Sequence, residues 1–334
     1  MNKKFKTIFF VIGIAVFTFL IFNFGIDNII LNIKKTGWWF LPVIGIWGIV
    51  YLMNAWAWYF IIDGKNKNIS FAETFAITLS GFAINYITPV VNLGGEPYRI
   101  LALKESLGLH NSVSSTVLYT MIHFLSHFIF WLSAIILMSI FSPLSEALKI
   151  IFAVTSFVLV LAIYFFISRH KKGVLSSLYK ILLRISFLKN YHKKLKSKEE
   201  SIIKIDKEIT NFYNNRKLSF FSSLTLDYLA RIIASVEFYF ILSSIGFNIS
   251  ILEAIYISAG SSLIMNILFF MPFELGTREG GIMLIMSGLK YTSTIGVYVG
   301  LVNRIREFFW ILIGLILIQL HKHKTAGKKI LESI

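Results

Sequence analysis

The 334-residue chain is 56% apolar and only 15% charged, with a mean hydropathy of +0.72 and a net charge of +16. No polar stretch is long enough to bury a core of its own, so the length does not imply separate soluble domains. The lack of cysteine excludes disulfides, thiolate metal sites and thiol nucleophiles.

Uncharged runs at Thr7–Gly25, Thr36–Ile62, Asn111–Ser145, Ile150–Ser168 and Ala254–Phe273 are of membrane-spanning length or close to it. The expected fold is an all-α polytopic membrane protein, one transmembrane domain over residues 1–334. Lys3, Lys4 and Lys6 precede the first run. No small-x-small cleavage site follows and the run is too long for a typical signal sequence, so it reads as an uncleaved helix at about 7–25. A second span follows at about 38–62. Trp38, Trp39, Trp56 and Trp58 near its ends fit an interfacial aromatic belt. Asp63–Ser70, with Lys65 and Lys67, reads as cytoplasmic.

Residues 71–112 hold the first unusual stretch, Thr88-Pro89-Val90-Val91-Asn92-Leu93-Gly94-Gly95-Glu96-Pro97-Tyr98-Arg99. Glu96-Pro97 reads as a helix start, with Pro at the first helical position and Glu at the positive end of the dipole. Gly94-Gly95 lets backbone approach a ligand closely. Glu96 is either a simple cap or a buried carboxylate that binds a cation or exchanges a proton. Arg99 either grips a lipid phosphate or snorkels to the interface.

Spans at about 113–141 and 148–168 complete the first half, 1–168. Tyr119, His123 and His127 share a face of the former. Their spacing permits a metal, but no nearby carboxylate completes a site, so cavity lining or a bond to another helix is expected, with no metal and no cofactor. The segment 169–218 is strongly basic, with fourteen Lys/Arg against four acids between Arg169 and Lys217. Leu175, Leu178, Ile181, Leu182, Ile185 and Leu188 recur at helical spacing, as in an amphipathic helix on an anionic inner leaflet. A second such helix would place Ile202, Ile205, Ile209 and Phe212 on one face. No recognition fold accompanies the charge, so nucleic acid is not expected as a partner; membrane lipids are.

The second half, 219–320, opens with a span at about 219–245 carrying Asp227, Arg231 and Glu237, the first two spaced to pair. Residues 252–290 hold the second unusual stretch, Met271-Pro272-Phe273-Glu274-Leu275-Gly276-Thr277-Arg278-Glu279-Gly280-Gly281. Arg278 and Glu279 can neutralise each other there. A last span at about 292–320 carries Asn303, Arg304, Arg306 and Glu307 near its middle. Charges inside spans cost about 2.5–3.5 kcal/mol each on insertion scales, so they should face protein. They either lock helices together by pairing or line a polar pocket in which Arg231 and Arg304 meet an anionic headgroup. The tail, 321–334, adds Lys322, Lys324, Lys328 and Lys329. His321 and His323 read as solvated.

By the positive-inside rule both termini and the 169–217 segment are cytoplasmic. Parity then leaves 71–112 beginning and ending inside, and 252–290 beginning and ending outside. The prediction is six full spans plus two re-entrant hairpins of opposite orientation, an inverted-topology repeat. Broken backbone with charges at membrane depth belongs in a protein-lined cavity.

The stretches Pro89…Leu93-Gly94-Gly95-Glu96…Arg99 and Pro272…Leu275-Gly276…Glu279 resemble those of the lysylphosphatidylglycerol synthase transmembrane family, also called flippase-like membrane proteins, over roughly residues 5–320. The resemblance implies an integral membrane protein, bacterial or archaeal, that moves polar lipids or helps to modify them, here placed in a bacterial inner membrane. It covers the membrane part only; no aminoacyl-transfer domain is read in the sequence, so synthase activity is not carried over. The second stretch departs from the family, with Phe273-Glu274 where Gly is frequent.

The combined expectation is a translocase for a phosphate-bearing lipid, with Glu96, Arg99, Arg231, Arg278, Glu279 and Arg304 lining the site and Pro89, Gly94, Gly95, Pro272 and Gly276 shaping its backbone. No catalytic residue is assigned, since no Walker loop, nucleophile elbow or HExxH occurs. The rival expectations are a membrane-embedded transferase with Glu96 or Glu279 as base, and a non-catalytic partner that recruits cytosolic enzymes through the basic segment.

Overall fold

The computed structural model describes residues 25–62, 69–88, 94–169, 199–269, 271, 274, 276–289, 291 and 293–331, with 15, 18, 22, 176, 177 and 179 as isolated positions. Among these the chain is helical and contains no strand. The helices are α1 (Ile26–Thr36), α2 (Phe40–Ile62), α3 (Phe71–Ile87), α4 (Gly95–Phe141), α5 (Glu146–Arg169), α6 (Glu199–Asn215), α7 (Lys217–Ser243), α8 (Ile251–Ile267), α9 (Thr277–Gly288) and α10 (Ser293–Leu331). Residues 30–62, 95–141 and 146–168 are long and apolar enough to cross a membrane. The chain is a multi-pass integral membrane protein. Apart from Gly25 and those isolated positions, the first span and the helix read at 175–188 lie outside the described residues, as do Pro89 and Pro272.

The helices divide into two compact units. One takes residues up to 56, 69–102 and 229–334; the other takes 57–68 and 103–228. In the first unit the apolar core joins Val43 of α2, Phe238, Ile241 and Leu242 of α7, Ile257 of α8, Ile282 and Met286 of α9, and Val299 and Val302 of α10. Helix α10 runs against α3, α9 and α1. Glycine sets how closely. A Cβ on Gly314 would fall 2.6 Å from Ala83 Cβ of α3, and one on Gly296 would fall 2.8 Å from Met283 Cα of α9. Gly296 and Gly300 are four apart, the small-residue spacing that lets membrane helices touch through backbone.

Two segments of this unit are built alike. Ser70 and Ser250 each cap a helix of 17 residues, accepting the amide of Glu73 (3.2 Å) and of Glu253 (3.1 Å). At 1.5 Å per residue each helix reaches about 25 Å, short of a full hydrocarbon core. Each is followed by a break, then by a helix that starts at Gly95 or at Thr277. In the sequence the breaks stand out as a pair first. The matching starts, Asn68-Ile69-Ser70-x-x-Glu73 and Asn248-Ile249-Ser250-x-x-Glu253, were equally visible in the chain.

Several expectations change in detail. Residues 26–36, left between the first two spans, form α1, whose Asn32 and Thr36 are buried while Ile26, Ile30 and Leu31 are exposed. Thr36 Oγ1 meets the Tyr298 hydroxyl at 2.8 Å, fixing α1 to α10. Trp38 is 85% exposed as a belt residue should be, but Trp58 is fully buried and stacks on Tyr119 in the second unit. Helix α4 breaks at Gly108 (φ 75°, ψ 159°), which separates residues 95–107 from the span that follows. The last helix continues beyond 320 to Leu331. Helix α6 does place Ile209 and Phe212 on one face, but that face is buried, and together with Ile61, Ser114, Ser115 and Leu118 it lines a small cavity.

Candidate functional site

The site lies in the first unit and grows from the two breaks. At the first, Asn85 in the last turn of α3 reaches across the gap. Its Oδ1 accepts the Gly95 amide at 2.5 Å, and its Nδ2 donates to Glu96 Oε1 at 3.5 Å. The opening of α4 is thereby tied to the end of α3. Only glycine permits this approach, because a Cβ on Gly95 would collide with the Gly81 carbonyl. Arg99 lies across Gly81, where a Cβ would come within 2.7 Å of its Nε, and its Nη1 sits 3.6 Å from Glu96 Oε1. Arg99 is buried, Glu96 half-buried, and the Glu96 Oε2 atom is enclosed with no hydrogen-bond donor.

At the second break, Glu274 takes a left-handed backbone (φ 54°) and Gly276 another (φ 77°). This tight path puts Thr277, Arg278 and Glu279 in the first turn of α9. Arg278 does not neutralise its neighbour Glu279. Its Nη2 pairs with Glu274 Oε2 and its Nη1 lies 2.5 Å from Glu307 Oε2 of α10. Glu279 is bound instead by Arg304 of α10, from Nε at 2.5 Å and from Nη2 at 3.2 Å. Adjacent residues on a helix point about 100° apart, so each finds a partner on another element. Arg304 Nη2 also donates to the Glu274 carbonyl at 3.1 Å, and Glu279 Oε2 accepts the Gly276 amide at 3.1 Å.

Deeper in the same unit, Arg306 holds Glu237 of α7 in a two-point bond, at 2.8 and 3.0 Å. Trp47 of α2 donates to the same carboxylate at 2.7 Å, and its ring carries the Arg306 guanidinium 3.8 Å from its centroid. Arg306 Nη1 is 3.5 Å from Glu307 Oε1, which links this pair to Arg278. A continuous chain therefore runs Glu237, Arg306, Glu307, Arg278, Glu274. Fork-to-carboxylate geometry is the strongest such contact available, and it offsets much of the cost of holding the charges out of water.

The two breaks meet at α3. Asn85 serves the first, and the next residue, Tyr86, presents its ring to the Arg278 guanidinium at 5.9 Å. Glu96, Arg99, Arg278, Glu279 and Arg304 are thus brought around the end of one helix. Arg231 is half-buried on α7, and none of the ion pairs just described includes it. Asn303 is buried beside Arg304. Glu237, Arg306 and Glu307, legible in the sequence only as intramembrane charges, join the network, as do Trp47, Asn85 and Tyr86, which no sequence signal marks. The arithmetic of charge within spans, carboxylates needing cations, was the signal that pointed to the first three.

In the second unit, His123 Nδ1 lies 2.9 Å from Asp227 Oδ2, joining α4 to α7. The bond to another helix expected for the histidine pair is present. His127 stands edge-on to His123 at 5.2 Å. Among the described residues no group of three His, Asp or Glu side chains is placed to hold a metal.

Compared with known proteins, residues 8–314 match the family described as Lysylphosphatidylglycerol synthase TM region. No curated protein and no solved structure matches the chain.

Proposed function

The chain belongs to the lysylphosphatidylglycerol synthase transmembrane-region family, and from that premise we propose that it moves a phosphate-bearing polar lipid between leaflets. The observation that carries the reading is the gathering of four arginines and five glutamates, most of them buried, around two broken helices in an apolar chain. Intramembrane ionisable groups are expensive and mark substrate or ion pathways. Paired breaks in the two halves of a transporter are where such sites form. Glu96, Arg99, Arg278, Glu279 and Arg304 would contact the headgroup, with Arg231 at the margin of its path. The Glu237–Arg306 pair, dry and locked on both sides, would hold α7 to α10.

In this reading the two 17-residue helices with their breaks are re-entrant hairpins of opposite orientation, and both termini face the cytoplasm of a bacterial inner membrane. The drive would be an ion gradient or a substrate imbalance. The test is a leaflet-resolved assay in sealed proteoliposomes with headgroup-labelled anionic and aminoacylated lipids, comparing wild type with Glu96→Gln. Protein-dependent movement that the variant loses is expected. No protein-dependent movement across that panel would sink the proposal, and turnover of a lipid substrate in detergent, where no leaflets exist, would replace it with a transferase.

A further inference from the structure

We propose that His123 and Asp227 form a proton-exchange site within the membrane. The pair lies in the second unit, where α4 meets α7. The Asp227 side chain is 1% exposed and that of His123 38%, and His123 Nδ1 faces both carboxylate oxygens, at 2.9 and 3.1 Å. Its partner sets Asp227 apart from the other carboxylates described above. Glu96, Glu237, Glu274, Glu279 and Glu307 each lie against a guanidinium, which does not give up its proton in a protein. An imidazole does, between about pH 5 and 8. With the carboxylate ionised, Nδ1 carries a hydrogen toward it, so a proton is gained or lost at Nε2. Uptake from water turns the imidazole into an imidazolium and the contact into an ion pair. Release returns the proton to water and restores the neutral ring. The more open partner exchanges the proton, and the enclosed one holds it.

Polar groups continue from the pair along both helices. Ser223 stands one turn before Asp227 on α7, and Thr116 two turns before His123 on α4. The hydroxyl of each is buried with no hydrogen-bond partner. Ser114 and Ser115 follow on α4 and, with the half-buried Glu208 of α6, line the small cavity, whose volume of about 10 Å³ is room for one water. A column of hydroxyls therefore leads from the pair toward a second carboxylate, and chains of Asp, Glu and His at membrane depth are the material of proton relays. The neighbouring groups complete the setting. On α4, the Tyr119 and His127 rings lie 5.9 and 5.2 Å from that of His123. On α7, the Tyr228 hydroxyl donates to Ser133, and Arg231 is one turn past Asp227. Helix α2 brings the Trp58 ring against Tyr119 and carries no charge, while α5, which meets α4 at Phe128 and Phe166, is charged only near its ends, at Glu146, Lys149 and Arg169.

The proton site belongs to the chain alone; its use as the drive for lipid movement rests on the translocase reading. The first experiment is imidazole NMR of the purified full chain in detergent, isotope-labelled at histidine and followed between about pH 5 and 8. His123→Asn keeps a donor toward Asp227 and identifies the His123 signal by its loss. That signal should pass from imidazole to imidazolium within the range, and Asp227→Asn should move its midpoint by about one pH unit or more. A His123 that keeps one protonation state throughout, or a midpoint that Asp227→Asn leaves in place, would overturn the proposal. In sealed proteoliposomes, an imposed proton gradient should then speed wild-type lipid movement several-fold, and His123→Asn should lose that response. A response retained in His123→Asn would place the drive elsewhere. Titration as expected together with flat lipid traces would leave the proton site standing and remove the translocase.

Discussion

The two breaks share one sequence grammar, Leu-Gly, then Glu, with an Arg within a turn, yet they are satisfied in different ways. The first is closed locally. Asn85 bonds both Gly95 and Glu96, and Arg99 pairs with Glu96 from the next turn. The second keeps local contacts, Arg278 with Glu274 and the Gly276 amide with Glu279, and adds partners from a distance, with Arg304 and Glu307 of α10 meeting Glu279 and Arg278. A local closure survives small movements of its neighbours. A closure by another helix ties the break to that helix, so whatever shifts α10 also shifts α9. The difference ties the second break, and not the described contacts of the first, to the position of α10.

Four substitutions sharpen or break this contrast, taken from the largest expected effect down. Arg306→Ala leaves Glu237 buried without its cation and removes the link toward Glu307. It should cost about 3–5 kcal/mol in denaturant unfolding followed in detergent. A loss under 1 kcal/mol would mean that the α7–α10 pairing does not brace the second break. Gly95→Ala forces a Cβ against the Gly81 carbonyl and within 2.7 Å of Asn85 Oδ1. It should cost about 1–3 kcal/mol by overpacking, measured the same way, and should also halt lipid movement. If both readouts stay at wild type, the close approach of α3 and α4 is incidental.

Glu96→Gln keeps the shape and weakens only a long, largely buried pair at 3.6 Å, so unfolding should change by about 1–2 kcal/mol. Leaflet exchange should nevertheless disappear, which separates function from stability at this residue. A stability loss as large as that of Arg306→Ala would erase the contrast between local and distant closure. Glu274→Gly has the smallest net effect. Glycine relieves a left-handed residue, a gain of about 1–2 kcal/mol, while Arg278 loses one carboxylate and keeps Glu307. The two effects should cancel to within about 1 kcal/mol. The carboxylate at 274 thus sits on a backbone that glycine would adopt more easily.

Legibility followed the physics of each feature. The breaks were readable because Gly, Pro and charge at membrane depth have few uses, and Gly95 and Gly276 stand where that logic put them. Three of the expected spans, at about 38–62, 113–141 and 148–168, were readable because about 20 apolar residues suit little else in an ordered chain of this kind. Partners were not. Glu279 has Arg278 beside it in sequence and Arg304 beside it in space, and no spacing rule distinguishes them, since i, i+1 side chains diverge while residues on different helices can converge. Trp58 read as a belt residue from its place near a helix end, but a helix end can face a neighbour as easily as a headgroup. The apolar face of α6 was equally ambiguous, because burial against Leu118 and burial in lipid reward the same pattern.

The sequence by itself determined that this chain lives in a membrane, that its helices break at two matched places, and that charges inside its spans should face protein. These follow from composition and local backbone chemistry, which every residue carries with it. Only the tertiary structure decided which carboxylate meets which guanidinium, that Gly81, Gly296 and Gly300 are there to admit Arg99, α9 and Glu279, and that Asn85 and Tyr86 join the two breaks on consecutive residues of α3. Those are choices among contacts far apart in the chain, and their free energies exist only once the helices are packed.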